Sequence, residues 1–293
     1  MNRFTGILLI VLSAASFGTL AIFGRFAYAE GMDTFTVLFL RFGLSAAFMT
    51  LFLILRKEPF PRGRVLLQLI GMGALGYAGQ SYLYMTAIKY ASAGLVALLL
   101  YLYPFFVAIL SLVFLHEKLI RSKVIALVLA LVGTALTVGP VSGQLIGALM
   151  AITAALVYSI YIMVGASVMK NVSAFQSSTV IFASAGMVYG SLTLANGPHF
   201  PQTSTGWLVI LGIVLISTVI PVVTFLAGLS KVGPTNAAML STIEPIVTVL
   251  LSTWLFGDKL APIVLAGGLF ILVAVLLLTR AEFGQSAESQ PGV

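Results

Sequence analysis

The chain contains no cysteine and very little charge. Without Cys there can be no disulfide framework, no iron–sulfur ligation and no thiolate nucleophile. Only 8% of the 293 residues are charged, where a soluble domain carries roughly 25%. There are two histidines, His116 and His199, placed in a helix end and a loop and read as solvated, so no metal site and no cofactor are expected. No H-E-x-x-H zinc motif, no paired membrane aspartates and no Walker A sequence occur, which excludes the common intramembrane hydrolases and direct use of ATP.

What fills the chain is hydrocarbon. It is 60% hydrophobic with a mean hydropathy of +1.13, so water cannot be its main solvent. The formal net charge of +7 would suggest nucleic acid only if basic groups clustered on one face. Here they punctuate apolar runs, and the lipid bilayer is the partner they imply.

A repeat organises these runs. Residues 231–260, KVGPTNAAMLSTIEPIVTVLLSTWLFGDKL, lie without a gap over residues 90–119, YASAGLVALLLYLYPFFVAILSLVFLHEKL. Pro104 falls on Pro245, an offset of 245 − 104 = 141. Ala97 meets Ala238, Leu99 meets Leu240, Ser111 meets Ser252, and Glu117-Lys118-Leu119 meets Asp258-Lys259-Leu260. Gly6 and Gly147, Ala14 and Ala155, and Gly24 and Gly165 keep the same offset. Such periodicity marks a duplicated unit.

A helix needs about 20 apolar residues to cross the hydrocarbon core. Runs of that kind predict spans near 4–23, 34–55, 65–87, 91–115 and 123–139, then 145–169, 174–195, 205–229, 235–256 and 261–279. The expected fold is all-α, ten transmembrane helices in two halves, 1–140 and 141–280, with a polar, disordered tail at 281–293. Five spans per half is an odd number, so the second half must enter the membrane inverted, around a central cavity. Inverted repeats about a midplane site are a construction of secondary transporters. Asn2-Arg3, the first apolar run and Ala27-Tyr28-Ala29 imitate a signal peptide. That run is longer than the usual ~7–15 residues, and cleavage would remove the partner of 145–169, so the segment is expected to stay. Lys and Arg concentrate in the loops on the side of the N-terminus, which predicts both termini in the cytoplasm and the loops 140–144 and 196–204 outside.

The residues of 224–280, with the Pro-centred helix and the glycine-bearing last helix, resemble the EamA-type transporters of the drug/metabolite transporter superfamily. Ser16–Arg25, SFGTLAIFGR, is similar to their first-helix motif, with Phe17 where Trp is usual. The resemblance implies ten helices in two inverted halves, a small-molecule substrate and an inner-membrane location. The tyrosine-rich third and fourth helices look like the branch that exports aromatic amino acids, the YddG-like proteins. Export of amino acids is the function implied; export of lipophilic cations is the alternative, and a second copy of the chain is kept open as a partner.

Ionisable residues inside a membrane are functional candidates by default. Glu244 lies about ten residues into its helix, or ~15 Å at 1.5 Å per residue. Ser241, Glu244, Thr248 and Ser252 recur at helical spacing on one face. Pro245 cannot donate to Ser241, which is expected to leave that carbonyl free. Glu244 either binds a substrate ammonium or proton, or is a static polar partner of a neighbouring helix. Arg41 either attracts a substrate carboxylate or pairs with Glu30 or Asp33 at the outer boundary. Tyr77, Gln80 and Tyr84 form a stripe, Tyr101 and Tyr103 precede Pro104, and Tyr158 and Tyr161 lie one turn apart. These tyrosines line a path for apolar or aromatic solutes or pack helix on helix. Gly73, Gly76 and Gly79 are read as close-approach positions.

Overall fold

A backbone in hydrocarbon must satisfy its own N–H and C=O groups, and a helix does so within one segment. The computed structural model describes residues 3–87, 90–91, 93–116, 120–138, 144–257 and 261–288, and it is helical throughout apart from short connections. The helices are α1 (Arg3–Ala29), α2 (Thr34–Arg56), α3 (63–87), α4 (93–114), α5 (Arg121–Val138), α6 (Leu145–Val168), α7 (Ala174–Asn196), α8 (Ser204–Val232), α9 (Pro234–Phe256) and α10 (Pro262–Glu288). Among the described residues six are long and apolar enough to cross a membrane, namely α1, α2, α6, α7, α8 and α9. Shorter apolar helices at Tyr103–Phe114 and Pro262–Leu278 accompany them. The acid–lysine pairs at 117–118 and 258–259 and the loop residues 140–143 lie outside the described residues. The last helix continues through Glu288, where the sequence suggested a disordered tail from 281. Ala, Glu and Gln are good helix formers, and no proline intervenes before Pro291.

Local chemistry sets the helix ends. Asp33 opens α2 by accepting from the backbone N–H groups of Phe35 and Thr36 at 2.8 and 3.1 Å. Ser173 and Gln176 form a reciprocal capping box at the start of α7, and Thr203 caps α8 through Gly206 N–H at 2.9 Å. Two loop contacts close each end of the α2–α7 pair. At one end His199 N–H donates to Thr36 Oγ1 at 3.0 Å and its ring Nδ1 lies 3.2 Å from Asp33 Oδ2. At the other, Ser173 Oγ donates to Glu58 at 3.0 Å and Gln176 Nε2 to Pro59 O at 2.7 Å.

The packing follows a pattern of pairs. α2 lies along α7, α5 along α10, and α4 meets α9; α1 packs on α8 as α6 packs on α3. Gly6 abuts the carbonyl of Gly228 and the side chain of Val232, while Gly147 abuts the carbonyl of Ala87 and the side chain of Ala91. Gly228 and Val232 are the residues 141 beyond Ala87 and Ala91 (228 − 87 and 232 − 91).

Four helices depart from regular α geometry where the pairs meet. α3 carries a π-helical segment at Met72–Tyr77 and α8 another at Leu215–Val219. α9 narrows to a 3-10 turn at Ser241–Ile243 before Pro245, and α4 breaks at residues 101–102 before Pro104. π segments and broken helices release backbone groups and occur often at functional sites.

Candidate functional site

The two proline-broken helices bring their breaks together. Tyr103 on α4 donates its hydroxyl to the carbonyl of Ala238 on α9 at 3.3 Å, and Ser159 on α6 donates to the Tyr103 carbonyl at 3.2 Å. On the other side, a methyl added to Gly18 of α1 would stand 3.0 Å from the Glu244 carbonyl. Thr248 donates to Gly18 O at 3.0 Å. The Ser241 carbonyl is not free as expected: the Glu244 N–H closes a 3-10 bond onto it. A 3-10 turn ahead of the proline supplies the donor that the proline lacks. Ser241 Oγ itself turns back to Ala237 O at 2.9 Å.

Between these breaks lies a cavity of about 100 Å³ lined by Phe17, Tyr77, Gln80, Leu100, Tyr101, Tyr103, Tyr158 and Glu244. Six of the candidates read from sequence therefore meet there. Phe17 and Leu100 were not among them; Phe17 carried a signal, standing where the resembling motif has Trp. Ser241 lies one turn before Glu244, off the lining. Tyr84 packs instead beside the small cluster of Ala87, Ala91, Val96 and Ala151. Tyr161 stands behind the wall, stacked on Tyr158 at 5.7 Å between ring centres.

The rings are continuous across helices. Tyr101 and Tyr103 lie 6.4 Å apart, Tyr103 meets Tyr158 edge-on at 4.9 Å, and Tyr161 lies 5.6 Å from Tyr77. Tyr77 meets Phe42 edge-on at 5.3 Å, and Phe42 stacks on Tyr189 at 5.8 Å. Tyr189 donates to Ala78 O at 2.9 Å, just past the π segment of α3. Each such pair adds about 0.5–1.5 kcal/mol beyond burial, so the tyrosines both pack helices and wall the cavity. Tyr101 also borders an apolar crevice of about 310 Å³ between α4 and α5, with Leu102, Leu131 and Val132. Tyr101 thus borders both.

Glu244 is the acid of the lining, and among the described residues no protein group is hydrogen-bonded to its carboxylate. A carboxylate held away from bulk water without a partner is expensive. The nearest compensation is electrostatic: the positive charge of Arg41 acts on it.

Arg41 is 5% exposed and does not line the cavity. Its Nε donates to Thr218 Oγ1 at 2.8 Å and its Nη2 to the Tyr77 hydroxyl at 3.2 Å. The guanidinium also lies 4.9 Å from the Phe42 ring centre. Pairing with Glu30 or Asp33 is not what holds it: Glu30 accepts from Thr203, and Asp33 is engaged by Thr36, Phe35 and His199. Its two partners sit in the two π segments, and they are repeat mates (218 − 77 = 141). Nothing in the sequence pattern announced that arrangement.

Similarity to known proteins agrees with this architecture. The model of the EamA-like transporter family matches twice, over residues 4–139 and 145–280. An uncharacterized transporter of Archaeoglobus fulgidus is 31% identical over 273 residues, covering 92% of this chain and 95% of that one. The uncharacterized transporter YcbK of Bacillus subtilis is 22% identical over 298 residues, covering 96% and 95%. A solved crystal structure superposes with a TM-score of 0.84 at 19% identity, covering 95% of this chain and 99% of the other. These relatives carry the names of transporters and not of enzymes, and their match spans nearly all of this helical chain. With family matches over both halves and a 31% identical relative along its length, the chain belongs to the EamA-like transporter family.

Proposed function

We propose that this protein is a secondary transporter that exports amino acids, aromatic or apolar ones above all, across the inner membrane by alternating access. The single observation that carries the reading is the ring-walled cavity lined by a carboxylate that has no hydrogen-bonding protein partner among the described residues. An ammonium group supplies the missing counter-charge, and the tyrosine rings supply apolar faces with hydroxyls at their rims. Its volume of about 100 Å³ is well below the roughly 300–1,000 Å³ of drug-sized sites, which favours a small solute in this conformation. The candidates for contact are Glu244, Tyr77, Gln80, Tyr101, Tyr103 and Tyr158, with Ser241, Tyr84, Tyr161 and Arg41 in support.

Ten spans in two inverted halves are part of the same proposal. The family model's two matches start 141 residues apart (145 − 4), and the paired packing of α1–α8 with α6–α3 supports a twofold relation. Two related halves give two related ways to close one site. Orientation with both termini inside follows from the Lys and Arg of the loops.

A second reading, export of lipophilic cations, draws on the same carboxylate among aromatic rings. Uptake into proteoliposomes separates the two. A panel of labelled amino acids and organic cations, with and without a pH gradient, should show saturable transport of small apolar or aromatic amino acids. Transport of bulky cations with none of amino acids would establish the second reading instead.

A further inference from the structure

We propose that Tyr77 is the carboxylate-binding end of the cavity, donating its hydroxyl proton to the solute, and that Arg41 positions and polarises it without touching the solute. This deepens the amino-acid reading above and rests on it.

The inference follows from counting protons. Arginine has only N–H donors and cannot accept a hydrogen bond. In the 3.2 Å contact with Arg41 Nη2 the Tyr77 oxygen must therefore be the acceptor. The one phenolic proton is then left to go elsewhere, and among the described residues no protein acceptor takes it. Thr218, the repeat mate, behaves differently. It accepts from Arg41 Nε at 2.8 Å and passes its own proton to Ile213 O at 2.7 Å, five residues back across the π segment. One end of the guanidinium is thus tied into the scaffold. The other ends on the hydroxyl of Tyr77, a residue of the cavity lining, with a proton to give.

The π segment explains why Tyr77 can serve. It shifts the register of α3 so that Tyr77 reaches Arg41 at its hydroxyl while still facing the cavity that Gln80 also lines. A hydroxyl whose oxygen accepts from a cation is a stronger donor, because successive hydrogen bonds polarise one another and charge-assisted bonds are the strong ones. Arg41 is buried, so its charge is poorly screened. Glu244, on another helix, lines the same cavity. The cavity therefore has an accepting, negative end and a donating end backed by positive charge. A zwitterion answers both ends; an amine answers one.

The test uses purified full-length protein in detergent and equilibrium binding of matched pairs that differ only by the carboxylate. Suitable pairs are alanine with ethylamine, leucine with isoamylamine, and phenylalanine with phenethylamine. Wild-type protein should prefer the amino acid in the pair that binds. Tyr77→Phe keeps the ring and its packing, and should weaken amino-acid binding on the order of tenfold, as expected for losing a hydrogen bond to a charged group, with amine affinity changed less than about twofold. Arg41→Met should lose the same preference and Arg41→Lys should restore part of it, since Lys still donates. If the Arg41 variants do not fold, Tyr77→Phe decides alone. A Tyr77→Phe protein that keeps the full amino-acid preference, or weakens both members of a pair equally, overturns the subsite and leaves the transport reading standing. Wild-type protein that binds neither member of any pair overturns the amino-acid reading and the subsite with it.

Discussion

Four glycines in α3 offer a graded test of the packing, because only some are crowded. A methyl on Gly73 would fall on the Ser184 hydroxyl and the Ile181 carbonyl of α7. A methyl on Gly76 would come within 3.2 Å of a Tyr161 ring carbon, and on Gly71 or Gly79 it would meet nothing within 4 Å. The Ile181 obstacle is backbone, so the helices must separate, and overpacking of this kind costs about 1–3 kcal/mol, occasionally more. At Gly71 and Gly79 no clash opposes the better helix propensity of Ala, about 0.8–1.0 kcal/mol over Gly in a helix interior. Ala gains the same propensity at every site, so the two classes should differ by the clash alone, roughly 1–3 kcal/mol, with Gly76→Ala between them because a ring can shift by a few tenths of an ångström. Thermal unfolding in detergent should give midpoints in the order Gly73→Ala, Gly76→Ala, wild type, then Gly71→Ala and Gly79→Ala together. Adding Ser184→Ala to Gly73→Ala should recover only part of the loss, since the carbonyl clash remains. If Gly79→Ala proved as unstable as Gly73→Ala, the placement of α3 against α7 would be wrong.

Further predictions concern the cavity and its surroundings. Glu244→Gln keeps size and hydrogen-bonding capacity but loses the charge; it should reach the membrane normally and transport amino acids at least tenfold more slowly, the order expected for losing a charge-assisted bond, and wild-type rates would make Glu244 a static polar contact. Tyr101→Ala and Tyr103→Ala should weaken transport of aromatic solutes more than of small ones, while equal losses that follow protein abundance would assign the rings to packing. The Asp33 carboxyl is raised by partial burial but lowered further by bonds from Thr36, Phe35 N–H and His199, and ends below its ordinary 3.8. Because the unfolded chain then takes up its proton first as pH falls, Asp33 stabilises the protein above about pH 4 and less below it; Asp33→Asn should flatten that acid branch, and an unchanged acid denaturation profile would refute the capping role. The absence of native Cys suits single-Cys labelling: Gln202→Cys should react from outside intact cells and Arg62→Cys only after the inner face is opened, and the reverse would overturn the orientation.

Much of the frame was written in the order of residues. The scarcity of charge and the long apolar runs dictate helices, because hydrocarbon leaves a chain no other way to satisfy its backbone one segment at a time. The offset that joins Pro104 to Pro245 and Gly6 to Gly147 reappears as breaks in α4 and α9 and as matched close contacts of α1–α8 and α6–α3. Glu244 was legible as a mid-helix acid, and the tyrosines as a polar-rimmed aromatic set, since depth and spacing along one helix are properties of sequence. Neighbours across helices are not. Helical periodicity assigns a residue to a face and leaves open what that face meets, so Tyr77, Tyr84 and Tyr161 looked equivalent until packing put Tyr77 on the cavity, Tyr84 beside Ala87 and Tyr161 behind Tyr158. The π segments were invisible for the same reason. One extra residue in a turn is tolerated only where tertiary contacts compensate, here Gly73 pressed on α7 and Arg41 donating to Thr218. Arg41 shows the division most clearly: its place within an apolar run was legible, with a solute carboxylate and the outer-boundary acids Glu30 and Asp33 both open as partners, but its ties to Tyr77 and Thr218 exist only once three helices close around it.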